Sequence, residues 1–201
     1  MLGMASYVAT VIAGLLVLLG VYMLILKLLA GQSPVRFLKD TRDVLLLAFS
    51  TSSSAAVMPL SIRTAEDKLG VRPSVSQFVI PLGATINMNG TALYQAVATI
   101  FLAQVYGIDL SMGSMALVVA MAVGASIGSP ATPGVGIVIL AMVLQTVGIP
   151  PSGIALIMGV DRILDMCRTA INVTGDLVTC RLMENLAGKR LPPEPVPEET
   201  S

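Results

Sequence analysis

The sequence predicts an all-α integral membrane fold, an inverted repeat of a re-entrant helical hairpin followed by a broken transmembrane helix. Three observations predict it. Charged side chains are absent from residues 1–26, 73–108 and 110–160, and each run exceeds the ~20 residues that cross a bilayer as a helix. Lys and Arg gather in three clusters between or after the apolar runs, as cytoplasmic segments do. Ser, Pro, Gly and Asn interrupt the apolar runs at points where a lipid-exposed break would leave backbone groups unsatisfied. The composition agrees: 55% of the 201 residues are hydrophobic and 12% charged, with no Trp and no His, and the mean hydropathy is +0.85.

Residues 1–43 read as a transmembrane helix and a cytoplasmic loop. The first apolar segment lacks a basic leader and a cleavage site, so it is expected to be a retained helix and not a signal peptide. Lys27, Arg36, Lys39 and Arg42 follow it. Residues 44–109 form the first half of the repeat. The segment 44–62 has basic flanks at both ends, with Arg63, Lys68 and Arg72 beyond it, so it enters and leaves on one side. Its centre, STSSSAAVMP at 50–59, offers small hydroxyl residues and Pro59 for the turn. The segment 73–108 then crosses outward.

Residues 110–188 repeat the pattern inverted. The linkers YGIDLSMGS (106–114) and VGIPPSG (147–153) contain no Lys or Arg, so the segment 115–147 is a hairpin entering from outside. ASIGSPATPGVG (125–136) interrupts it. The segment 154–182 crosses inward, and the Pro/Glu-rich residues 189–201 are a disordered cytoplasmic tail. These expectations place the chain in the cell (plasma) membrane, multi-pass, with a cytoplasmic C-terminus and the lipid bilayer as its surroundings.

Several function classes are excluded. Zero net charge and the lack of a basic stripe argue against nucleic acid as a partner. Without His, a phosphate-cradling loop or a nucleophile beside a base, no enzyme chemistry is indicated. Cys167 and Cys180 match no metal spacing and read as packing thiols.

What remains is polar chemistry inside apolar runs. GATINMNGTALYQ, 83–95, sets Thr85, Asn87, Asn89, Gly90 and Thr91 in the middle of a charge-free stretch. Such groups are either buried against protein or line a cavity. Asn87-Met88-Asn89-Gly90-Thr91 is echoed by Asn172-Val173-Thr174-Gly175-Asp176 at the corresponding place in the second half. Inverted repeats with broken helices point to a secondary transporter's midplane site.

In the last helix Asp161, Asp165, Arg168, Thr169, Asn172 and Asp176 share an arc of about 100° at 3.6 residues per turn. One reading is an internal salt-bridge ladder of Asp165 with Arg168 and Arg162. The other is a pathway or binding site, the default for intramembrane charge. Arg168 offers a rigid fork of donors matched to a carboxylate, Asp165 an acceptor for an ammonium group, and Asp176 with disrupted-helix carbonyls an oxygen set for sodium. Ser52 to Ala56 open a half-helix whose N-terminus favours an anion; the alternative is a small-residue packing face.

SSSAAVMP, GATINMNGTALYQ, ASIGSPATPGVG and DRILDMCRTAINVTGD together resemble the dicarboxylate/amino acid:cation symporters, the glutamate transporter family. The resemblance implies that the two hairpin tips enclose the substrate, through Ser52 and Ser54 and through Thr132, Pro133 and Gly136. It assigns Thr91, Asp165, Arg168, Thr169 and Asn172 to the substrate as well. It further implies sodium sites at Gly83, Asn87, Asn172 and Asp176, and at Thr85, Met88, Ser126, Ile127 and Ser129. The coupling ions are sodium, with no organic cofactor, and the second hairpin is the extracellular gate.

This chain departs from the family pattern twice. Asn89 stands where the family usually has Asp, which puts one sodium site and its ion in doubt. The chain is also about half the length of full members, whose N-terminal helices form a homotrimer scaffold. The expected function is sodium-coupled symport of an acidic amino acid (aspartate or glutamate) or a C4-dicarboxylate by alternating access, with this chain as the transport core. A channel-like conductor and a non-transporting remnant or assembly partner are the alternatives.

Overall fold

The computed structural model describes residues 2–187; the expected tail, 189–201, lies outside the described residues. Among the described residues there are eight α-helices, one 3-10 turn and no strand. Helix α1, Leu2–Ala30, is the one described helix long and apolar enough by itself to cross a membrane, over Gly3–Ala30. One side of it, with Tyr7, Val11, Leu15, Tyr22 and Leu26, is buried, while Leu16, Val17, Leu24 and Leu28 face outward.

Helix α2, Pro34–Thr51, starts where Pro34 occupies the first helical position after extended Ser33. A proline is pre-organised for that position and has no N–H to orphan. Arg36, Lys39 and Arg42, expected in a loop, therefore lie on a helix. Ser52 ends α2 in a left-handed conformation, φ 53°, the only such non-glycine among the described residues. Helix α3, Ser54–Asp67, begins at once, capped by Ser53, whose hydroxyl accepts from the Ala56 N–H. The first turn is thus Ser52 and Ser53 alone. Pro59, expected to help make it, lies inside α3, because the Ser53 cap has already closed the reversal.

Helices α4, Pro73–Ile86, and α5, Asn89–Val105, are one rod broken at Asn87 and Met88. Helices α6, Met112–Ser126, and α7, Val135–Thr146, make the second pair. In the connection between them Gly128 and Gly134 take φ of 76° and 80°, values that disfavour a Cβ. A 3-10 turn, Pro151–Gly153, leads into α8, Ile154–Ala187.

Helix α8 is the spine. Its 34 residues span about 50 Å at 1.5 Å per residue, and it packs against α1, α2, α3, α4, α5 and α7. The expected disruption at residues 172–176 is not found: α8 runs through it unbroken. Gly175 serves close approach instead, since a Cβ there would meet Asn87 Nδ2 at 2.6 Å and Tyr22 Oη at 2.7 Å. The Thr174 hydroxyl donates back to the Ala170 carbonyl at 2.7 Å, which satisfies it within the helix. Near the end of α8, Glu184 accepts from the Arg72 backbone N–H at 3.1 Å and from Arg72 Nε at 3.0 Å, tying the start of α4 to the spine.

Candidate functional site

A cavity forms where the breaks in the helices meet α8. Ser52 and Ser54 line it from the start of α3, Met88 and Thr91 from the start of α5, Val135 and Gly136 from the start of α7, and Asp165, Arg168, Thr169 and Asn172 from α8. Three helix N-termini therefore border one space, each with a partial positive charge. The cavity is narrow, about 20 Å³, room for a single water.

Arg168 sits at its wall and is 2% exposed. Nη2 and Nε reach Asp165 Oδ1 at 2.8 and 3.0 Å. Nη1 lies 3.9 Å from Asp161 Oδ1 and has no hydrogen-bond partner. The guanidinium carbon stands 4.3 Å from the centroid of the Tyr94 ring, within cation–π range, and the Tyr94 hydroxyl donates to Asp161 at 2.6 Å. Gly136 makes this position possible, since a Cβ on it would fall 2.3 Å from Nη2 and 2.4 Å from Nη1. Of the alternative ladder reading the Asp165–Arg168 pair is present, while Arg162 is exposed.

The two N-x-x-G motifs meet reciprocally. Asn172 Oδ1 accepts from the Gly90 N–H at 2.7 Å, and its Nδ2 donates to Thr91 Oγ1 at 3.0 Å. Across the pseudo-symmetry, Asn87 Nδ2 donates to Asp176 Oδ1 at 3.2 Å and lies against Gly175. Each asparagine thus meets the other motif's glycine and the polar residue after it. On one side the pairing caps the orphan N–H of broken α5. Gly90 permits it, because a Cβ would stand 2.9 Å from the Arg168 carbonyl.

Around Asp176 the other expected sodium residues gather. Gly83 is so close that a Cβ would fall 2.6 Å from Asp176 Oδ1. Asn89 Nδ2 donates to Asn87 Oδ1 at 2.6 Å and to Tyr22 Oη at 2.9 Å. Asp176 is 3% exposed, and no described Lys or Arg forms an ion pair with it.

The second expected sodium set lies by the α6–α7 connection. The Gly128 N–H donates to the Thr85 carbonyl at 2.7 Å, and Ser129 Oγ donates to the Ser126 carbonyl at 2.9 Å. The side chains of Thr85 and Ile127 are exposed there. Met88 and Ser129, expected at sodium, line the cavity. Pro133, expected at the substrate, is exposed and is not brought to the cavity. Tyr94 and Tyr22 were missed, because each acts on a residue far away in sequence. Asp161, read only as part of the polar arc, turns out to stand behind Arg168.

The tips of the two helix pairs touch. Ser53 Oγ donates to the Ala131 carbonyl at 2.9 Å, and the Ala55 N–H donates to the same oxygen at 3.4 Å. The α6–α7 connection therefore closes over the start of α3.

Residues 1–186 match a family model described as the sodium:dicarboxylate symporter family. Excitatory amino acid transporter 3 of Mus musculus is 42% identical over 186 residues, which are 92% of this chain and 36% of that protein. Excitatory amino acid transporter 4 of Rattus norvegicus is 41% identical over 189 residues, 94% of this chain and 34% of that protein. The proton/sodium-glutamate symport protein of Bacillus subtilis (strain 168) is 44% identical over 160 residues, 80% of this chain and 37% of that protein. The chain spans little more than a third of the length of these relatives.

Proposed function

The chain belongs to the sodium:dicarboxylate symporter family, and from that premise we propose that it is the transport core of a sodium-coupled symporter for an acidic amino acid or a C4-dicarboxylate. One observation carries the reading: Arg168 is buried at the wall of a cavity bordered by three helix N-termini. Every fixed charge distribution there except Asp165 and Asp161 favours an anion. The guanidinium fork suits a side-chain carboxylate, the N-termini suit a second carboxylate, and Asp165 suits an ammonium group. The combination favours an amino acid such as aspartate or glutamate over a plain dicarboxylate. The relatives' names, transporters of excitatory amino acids and of glutamate, support the same choice.

Sodium fits the residues around Asp176. A buried carboxylate with one amide donor and no cationic side chain in ion-pair range is undercompensated, and a hard cation takes carboxylate, amide and carbonyl oxygens as ligands. When bound there, the ion supplies the positive charge that the site lacks. Asp176, Asn87, Asn172 and the Gly83 carbonyl would hold it. Thr85, Met88, Ser126, Ile127 and Ser129 are the second candidate set. Asn89 is neutral where most members carry a carboxylate, and this is expected to lower the number of coupled ions.

An amino acid exceeds the present cavity, so entry requires the α6–α7 tip to leave Ser53. That opening, combined with re-entrant placement of the two helix pairs in the bilayer, gives alternating access. The orientation with basic groups and C-terminus in the cytoplasm, and trimeric assembly of the longer protein, belong to the same proposal. Uptake of labelled aspartate, glutamate, succinate and serine into proteoliposomes, with sodium or choline outside, tests it. Sodium-dependent accumulation of aspartate or glutamate against a gradient is expected. Flux that neither saturates nor depends on sodium would point to a channel-like conductor instead.

A further inference from the structure

At the end of the bundle where α1 ends and α2 begins, the α1–α2 turn, the α3–α4 turn and the end of α8 enclose a second polar space of about 400 Å³. Three cations from three elements line it: Arg36 in the first turn of α2, Lys68 at the C-cap of α3, and Arg181 on α8. Among the described residues no carboxylate lines it. Ser33, the N-cap of α2, also lines the space and leaves its hydroxyl uninvolved in capping, so the N-terminus of an 18-residue helix borders it. Arg181 Nε is buried without a hydrogen-bond partner, and no described carboxylate pairs with Arg181.

We propose that this space binds a phosphate-bearing anion, the headgroup of an anionic phospholipid. The cationic lining and the helix N-terminus together specify an anion with several acceptor oxygens. Its surroundings specify a lipid. Leu28 and Leu29, 69% and 63% exposed, lead into the pocket along α1, and Val35, 77% exposed, follows on the first turn of α2. These side chains stand beside the polar pocket as acyl chains stand beside a headgroup, at the end of the one described helix that is long and apolar enough to cross a membrane. Two of the cations, themselves exposed, have local partners, Arg36 with half-buried Asp40 at 3.7 Å and Lys68 with exposed Asp43 at 3.3 Å. Exposed pairs of this kind are weak, so they exchange readily for phosphate oxygens.

Native mass spectrometry of the purified chain in neutral detergent, titrated with dioleoylphosphatidylglycerol, dioleoylphosphatidylcholine or inorganic phosphate, tests the proposal. The parent should bind the anionic lipid at least several-fold more tightly than the zwitterionic one. Arg36→Gln and Lys68→Gln, both at exposed positions, should each cost about fivefold for the anionic lipid alone, and Arg181→Gln at least as much. Lys39→Gln, outside the pocket, should change nothing. Equal binding of the two lipids by the parent overturns the proposal, as does a Lys39→Gln loss equal to those of Arg36→Gln and Lys68→Gln. Protection by inorganic phosphate equal to that of the anionic lipid overturns the assignment to a headgroup.

Discussion

In the proposed function Arg168 carries the anion selectivity of the site, and four residues hold it in place. Asp165 and Asp161 supply opposite charge, Tyr94 supplies its ring face, and Gly136 supplies the space. Arg168 itself was legible in the sequence, because a guanidinium in an apolar helix is costly and needs a reason. Tyr94 and the packing role of Gly136 were not, since nothing local in α5 or α7 marks a contact with α8. Replacing Arg168 by Cys leaves an acidic substrate with an unpaired carboxylate, which commonly costs ~3–5 kcal/mol, more than a hundredfold in affinity. Uptake assays with Arg168→Cys should show loss of aspartate transport and retained or increased sodium-dependent serine transport. Parental aspartate affinity would reduce Arg168 to a structural ion-pair partner.

Gly136→Ala is a milder test of the same geometry. The added methyl group would meet the far end of a flexible side chain, so the guanidinium shifts while the backbone stays. A displacement of this kind costs on the order of 1–3 kcal/mol. Melting temperature should fall by a few degrees and aspartate affinity should fall with the displaced fork; an unchanged affinity would mean that the fork is not what the substrate meets. At the other end of the polar arc, Asp176→Asn removes the carboxylate from the Gly83–Asn87 cradle. Sodium titrations of substrate binding should then weaken by the coupling free energy of linked sites, typically ~1–3 kcal/mol. Curves that overlay the parent's exclude Asp176 as a ligand.

At the scale of elements, the two N-x-x-G motifs show what sequence reading reaches and where it stops. Their correspondence was visible in the sequence, and it suggested two broken helices. Only α4–α5 breaks, because Asn172 caps the freed N–H of Gly90 there. In α8 the same glycine position admits Asn87 and Tyr22 sideways, with no loss of backbone hydrogen bonding. The first turn was similarly placed but differently made: its tightness comes from left-handed Ser52 and the Ser53 cap, features of backbone conformation that a proline count does not reveal. Pro133 turned outward for a comparable reason, since the connection presents the α7 N-terminus to the cavity, with the Gly134 N–H on Asp165 Oδ2 at 3.1 Å.

The contact between the tips gives an element-scale prediction. Ser53→Ala removes the hydroxyl that links α3 to the Ala131 carbonyl, a hydrogen bond worth about 1 kcal/mol, and with it the N-cap of α3. The connection should open about fivefold more often. A cysteine at buried Ser54, in a background lacking Cys167 and Cys180, should react correspondingly faster with a water-soluble thiol reagent. Equal labelling rates with and without the Ser53 hydroxyl would show that this contact does not hold the connection closed.

At the scale of the whole molecule, the chain covers little more than a third of its relatives, and the helix breaks, α8 and the cavity between them fall within that part. Charge-free runs and basic clusters made the all-helical architecture legible, because burying an unpaired charge in hydrocarbon is too costly to occur by accident. The convergence of three helix N-termini on α8 was not legible, since it depends on how the two helix pairs fold back on the spine. The central claim is that the cavity on this chain holds an acidic substrate together with sodium. Calorimetric titration of the purified 201-residue chain with aspartate, in sodium chloride and in choline chloride, measures it directly. The account predicts saturable binding whose affinity rises steeply with sodium and is lost in Arg168→Cys; equal affinity in the two salts, or binding indifferent to Arg168, would contradict it.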